Sequence, residues 1–335
     1  MKGATMEETA AGKSDTLGIV FALVSAILFG TLVPFSKMLL ESFAPLQFAA
    51  FLLLGAGIAT GCLLIVRAVL GKSSTLKGLT RDDIPKLTLM TALNAVAVAC
   101  LACGIAQVLA TNASLLMGFE IAAATVCGWV FFNRHVCFKA IAAVGLICIA
   151  TILLFWNVTD IVSFAPASLF IIVGCALRGF ESGLKRSLAD RDPLQIAFVR
   201  SLGAGIVLLL VANLVDGLPQ ASTGSFAGVF LLGFATFSLG AIMHLSAERR
   251  IGSARSELFF SLAPFVGLLI SWANFGFALE PLFFGALALM ALGVWLAMDD
   301  SVFHEDAFAA LDRERMELYA GKPSPFDYDL MHRPL

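Results

Sequence analysis

Glu120 and Arg178 are charged side chains near the middle of long apolar runs, Glu120 about ten residues into its own. An ionised group at the centre of a bilayer costs ~2.5–3.5 kcal/mol on insertion scales, so each needs a partner or a task. A carboxylate facing a central cavity can take up and release a proton, or hold a substrate amine. An arginine stays charged and offers a planar fork that grips a carboxylate or phosphate. The competing reading is a fixed ion pair that joins two parts of the chain without touching substrate. Glu181 and Lys185 follow Arg178 at spacings of three and four, which puts all three on one helical stripe. That stripe reads either as a polar cavity lining or as snorkelling side chains that pair with one another. Lys37 and Arg200 could attract anions or anchor helix ends. Arg255 and Glu257 read as interfacial residues or a gate pair. Pro34 and Pro264 each remove a helical hydrogen bond and are candidate hinges.

Other chemistries find little support. No two of His135, His244, His304 and His332 have metal-ligand spacing. Cys100 and Cys103 form a CxxC-like pair on an apolar run with no second pair, so all seven cysteines read as packing residues. No G-x-x-x-x-G-K-[ST] loop is present to bind nucleoside triphosphate. No nucleophile with a neighbouring base can be identified. We therefore expect no catalytic residue, no metal and no cofactor.

The elements that must position these charges are membrane helices. Of 335 residues, 59% are hydrophobic and 14% charged, too apolar for a soluble chain of this length. A bilayer core takes about 20 helical residues to cross. Ten runs qualify: 17–38, 46–69, 87–105, 110–131, 138–156, 167–187, 194–213, 226–247, 254–276 and 282–298. With the N-terminus in the cytoplasm, the successive inner segments, counted with the adjoining helix ends, hold two, five, two, three, three and four Lys or Arg. The outer loops hold none, as the positive-inside rule demands when both ends are cytoplasmic. The fold class expected is all-α, integral to the cell (inner or plasma) membrane and multi-pass. The tails are 1–16 and 300–335, and no cleaved signal peptide is expected. A net charge of −2 gives no reason to expect a nucleic-acid partner.

The chain also repeats itself. PLQFAAFLLLGAGI at 45–58 matches PLQIAFVRSLGAGI at 193–206 in nine of 14 positions, 148 residues apart. Lys37 and Lys185 share that spacing. Two five-helix units follow, 17–157 and 166–299. Because five is odd, the second must enter the membrane inverted, an arrangement that lets a midplane site face either side. Gly57 and Gly61, with Gly55, Gly203 and Gly205, read as surfaces for close helix packing.

These features resemble the EamA-type transporters of the drug/metabolite transporter superfamily over about residues 17–299. The resemblance rests on FGTLVPFSK at 29–37, on Asp192, Pro193 and Arg200, on RIGSARSELFFSLAP ending at Pro264, on Glu280, and on GALALMALGVWL at 285–296. Three departures fall in the first unit. Glu120 stands where the family commonly has a proline, Asn133 replaces a glutamate, and Leu52 matches Arg200. The resemblance implies alternating-access secondary transport of a small polar or charged metabolite, with proton-coupled efflux or exchange as one form. Partners would be the metabolite, protons and the lipid bilayer, with a homodimer left open. The alternatives are a membrane-embedded enzyme acting on a lipid-linked substrate and a non-transporting membrane partner or sensor.

Overall fold

In hydrocarbon every backbone N–H and C=O must be bonded within the chain, which leaves helix as the solution for long apolar runs. The computed structural model describes residues 2–71, 77–132, 138–156, 161–186, 188, 191–251, 256, 259–276 and 281–297. Asn133, His135, Arg255, Glu257, Glu280 and the tail 300–335 lie outside the described residues. The described residues contain no strand. In chain order they form α1 (Lys2–Gly30), α2 (Leu32–Leu39), α3 (Pro45–Val69), α4 (Ile84–Gln107), α5 (Ala110–Leu116) and α6 (Phe119–Phe132). Then come α7 (Phe138–Trp156), α8 (Ile161–Arg186), α9 (Pro193–Val215) and α10 (Thr223–Gly233). A π-helical segment (Phe234–Gly240), α11 (Ala241–Ile251), α12 (Ala263–Phe275) and α13 (Pro281–Ala297) complete the order.

Among the described residues, seven helical stretches are long and apolar enough to cross a bilayer: Thr16–Leu39, Pro45–Val69, Arg81–Gln107, Ala110–Phe131, Pro166–Lys185, Pro193–Val215 and Thr223–Ala247. Ala263–Phe275 and Phe284–Gly293 are shorter apolar helices. Seven is fewer than the ten runs expected, in part because the ninth run is cut at Ser261–Leu262. The first helix also departs from expectation. It begins at Lys2, within the segment read as a tail, because that segment lacks proline and is rich in Ala, Glu and Lys.

The interruptions have local causes. Proline has no N–H to give the carbonyl four residues back. Pro34 therefore frees the carbonyl of Gly30, and the helix breaks at Thr31 before resuming as α2. Pro264 acts likewise on Phe260; the chain turns at Ser261–Leu262, and Pro264 enters the first turn of α12. A third break falls at Met117–Gly118, with Glu120 in the first turn of α6. The run from 87 to 131 is divided again where Val108 and Leu109 are extended, at ψ 151° and 137°.

Two equivalent helices cross at the middle of the molecule. A Cβ added to Gly57 would stand 2.8 Å from the Leu202 Cα, and one added to Gly205 would stand 2.8 Å from the Leu54 nitrogen. Gly61 meets Phe198 at the same distance. These pairings run in opposite senses along α3 and α9, so the two copies of the repeated sequence lie antiparallel and contact each other reciprocally. Apolar side chains of α3, α4 and α9 close around this crossing, Phe48, Leu53, Val98 and Ala204 among them. Gly57→Val and Gly205→Val should each destabilise the protein by about 1–3 kcal/mol, because the clash is with backbone that cannot yield. The reciprocal geometry requires the two losses to be similar. Thermal unfolding in detergent reads this, and a loss confined to one variant would contradict the symmetric crossing.

Candidate functional site

Glu120 enters the site because the chain breaks just before it. In the first turn of α6 the carboxylate lies near the positive end of the helix dipole, a favourable place for negative charge. Across from it, α8 presents Arg178, whose Nε donates to Glu120 Oε2 at 3.0 Å. The Arg178 side chain is 8% exposed and that of Glu120 29%, so the carboxylate is the more open member. The Arg178 guanidinium also lies over two rings, 5.8 Å from the centre of Phe29 and 5.5 Å from that of Phe237. Such cation–π contacts help hold a desolvated arginine. Phe29 packs edge-on against Phe237 and Phe260, and His244 stacks near Phe260 with ring centres 4.6 Å apart.

Four members of this cluster stand at helix irregularities. Phe29 immediately precedes the Gly30–Thr31 break, Glu120 follows Met117–Gly118, Phe237 lies in the π-helical segment and Phe260 precedes Ser261–Leu262. Segments flanking the breaks also touch. The Gly30 carbonyl would lie 2.8 Å from a Cβ on Gly267, and Ser114 Oγ is 3.3 Å from Ser271 Oγ. Glu120 and Pro264 stand at the same distance behind the breaks of α5/α6 and α12. The first copy therefore keeps its interruption without the proline and gains a carboxylate there. Interrupted helices expose polar backbone inside a membrane protein only where it is buried in protein or lines a cavity.

The other candidate residues divide into separate places. Glu181, one turn beyond Arg178, is ion-paired with Arg200 Nη1 of α9. Both are buried, at 1% and 7% exposure. Lys185, a further turn along α8, is exposed. Lys37 is remote from this cluster: its ammonium donates to the carbonyls of Ile105, Ala106 and Val108 at 3.0, 2.7 and 2.9 Å. It thereby caps the end of α4, and three donors meet three carbonyls that have no helical partner of their own. Pro34 and Pro264 do not contribute polar groups but create two of the breaks described above.

Sequence reading passed over several participants. Phe29, Phe237 and Phe260 are lost among 29 phenylalanines and show no periodic signal. His244 carries no metal-ligand signal in the sequence, yet it joins the aromatic cluster and approaches Ser256 Oγ at 3.4 Å through Nδ1. Two further ion pairs were also unforeseen. Arg67 grips Asp192 with both terminal nitrogens, and Arg191 Nε meets Asp83 Oδ2 at 3.0 Å. Asp192 was visible in the Asp-Pro pattern, but Arg67 and Asp83 lie more than a hundred residues away in sequence.

Two segments of the chain, residues 16–156 and 166–298, each match the EamA-like transporter family. An uncharacterized transporter of Methanothermobacter thermautotrophicus is 24% identical over 271 residues, covering 76% of this chain and 78% of that protein. A protein of known crystal structure is similar in fold, with a TM-score of 0.60 at 13% identity, over 84% of this chain and 96% of its own. With most of its length covered by two matches to one family, in an all-helical membrane architecture, the chain belongs to the EamA-like transporter family.

Proposed function

We propose that this protein is a secondary transporter that moves a small zwitterionic or charged metabolite by alternating access. The observation that carries this reading is the Glu120–Arg178 pair, set among aromatic rings where four helix irregularities converge. Ten spanning helices form two inverted five-helix units, 17–157 and 166–299, with both tails cytoplasmic in the cell membrane. The antiparallel crossing of α3 and α9 supports this arrangement, since equivalent helices of inverted units must oppose each other. A zwitterion entering the site exchanges partners: its ammonium takes Glu120 and its carboxylate takes Arg178. No charge is then left unpaired while the ion pair opens, which matters in a medium of low dielectric. In this reading, proton coupling is competition between a proton and the substrate ammonium for the Glu120 carboxylate.

The test is substrate-evoked pH change and uptake in proteoliposomes across a metabolite panel, with wild type and Glu120→Gln. A compound that moves with protons in wild type, and without them in Glu120→Gln, makes Glu120 the coupling carboxylate. Equal proton movement in both removes Glu120 from coupling. If nothing on a broad panel of charged and zwitterionic compounds moves in wild type, the transport reading itself is wrong.

A further inference from the structure

Besides the Glu120–Arg178 pair, α4 buries a side chain with no evident use. Asn94 is 0% exposed, and neither its Oδ1 nor its Nδ2 has a hydrogen-bond partner. Leaving such groups unpaired costs about 1–3 kcal/mol, so a buried asparagine in this condition calls for an explanation. Its surroundings follow from helix register. On α4, Ala97, Leu101 and Gly104 face α8, where they pack on Gly174, Ile171 and Ala167. Asn94 belongs to the same stripe, one turn earlier. Because α4 and α8 run antiparallel, one turn back on α4 is one turn forward on α8, at the level of Arg178 and Glu181. Met90, another turn back, clusters with Leu184 and with Ile196 of α9. Thr91 meets Gly203. Asn94 therefore also stands at about the level of Arg200.

Arg200 has its own unpaired atom. Nη1 holds Glu181, but the buried Nε has no acceptor. Glu181 and Arg200 cancel each other's charge, so a guest at this place must be neutral. Asn94 supplies two N–H donors and an acceptor oxygen, and Arg200 Nε supplies one donor. A small neutral molecule that accepts from Arg200 and donates to Asn94 fits this set, and water is the smallest such guest.

The fold itself does not demand these polar groups. At the repeat spacing of 148 residues, the counterparts of Glu181 and Arg200 are Val33 and Leu52, both buried. The first half thus folds with apolar side chains at the equivalent positions. We propose that Asn94, Glu181 and Arg200 enclose a water site between α4, α8 and α9, separate from the Glu120–Arg178 pair. Water there hydrates the buried ion pair, so the pair can part and re-form as the helices shift. That last role rests on the transport reading; occupancy by water does not.

Three measurements decide it. An experimental map of the full-length protein that shows ordered water should contain one within hydrogen-bonding distance of Asn94 Oδ1 and Arg200 Nε. Apolar or empty space there overturns the proposal. Thermal unfolding should fall by several degrees in Asn94→Leu, which evicts the water, and stay near wild type in Asn94→Ser, which leaves room for it. A dry site gives the reverse: Asn94→Leu gains stability, because it removes an unsatisfied group, and Asn94→Ser loses it. The double variant Glu181→Val/Arg200→Leu, which copies the other half, should fold yet transport at least tenfold more slowly any compound the wild type moves. An unchanged rate refutes the opening role. If the wild type moves nothing on the panel, the transport reading fails while the first two measurements still decide the water site.

Discussion

Arg200→Leu should be the most destabilising single substitution in the central region, by about 3–5 kcal/mol, because it leaves Glu181 buried without its counter-charge. Glu181 is 1% exposed, so bulk solvent cannot replace the counter-charge of the guanidinium. For a chain of this size that corresponds to a fall in melting temperature of roughly 4–7 °C. The double variant Glu181→Val/Arg200→Leu should recover most of the loss, since an apolar pair in a buried place is often as stable as the ion pair it replaces. Val33 and Leu52 at the equivalent positions of the first half are buried in that way. Thermal unfolding of the two variants side by side is the measurement. If the double variant is less stable than Arg200→Leu, the charges do not depend on each other and the pairing is incidental.

Arg178→Leu should have the largest effect on substrate handling. Removing one partner of a desolvated, hydrogen-bonded charge pair costs about 2–5 kcal/mol, which converts to an affinity loss of roughly 30-fold to several thousand-fold. The substitution also forfeits the contacts with Phe29 and Phe237. Arg178→Lys separates charge from shape. It keeps the positive charge but loses the planar group that lies over two rings while donating to Glu120, so an intermediate loss is expected. Binding of a panel compound measured by calorimetry, alongside uptake, reads both variants. Unchanged affinity in Arg178→Leu would mean that the substrate never meets this residue and that the pair serves only to join α6 to α8.

Much of the architecture was readable because it follows from one-dimensional quantities. Apolar composition and the presence of long apolar runs depend on the bilayer, which acts on every segment in the same way. The 148-residue repeat likewise needs no structure, and the glycines it carries at Gly57 and Gly205 turned out to form the helix crossing. The kinks at Pro34 and Pro264 were equally local, since a missing N–H acts on a carbonyl four residues away. What a single helix could not reveal was how it would end. The break at Met117–Gly118 has no proline, and the N-terminal segment joined α1 because nothing in it stops a helix.

Partner choice among the charges was beyond the reach of spacing. Arg178, Glu181 and Lys185 share one stripe and looked like a single lining, yet a turn of helix sends Arg178 to Glu120 and Glu181 to Arg200. Lys37 resembles Lys185 in sequence position, but it is spent on the carbonyls at the end of α4. Charge interactions in a low-dielectric interior are steep in distance, so moving a helix by a few ångströms changes which groups pair. Membership in a bilayer, repetition and the kinks are thus written in the order of residues. The aromatic cluster around Arg178 exists only once α1, α8 and the π-helical segment are packed together, and the unpaired polar atoms of Asn94 and Arg200 only once α4, α8 and α9 are.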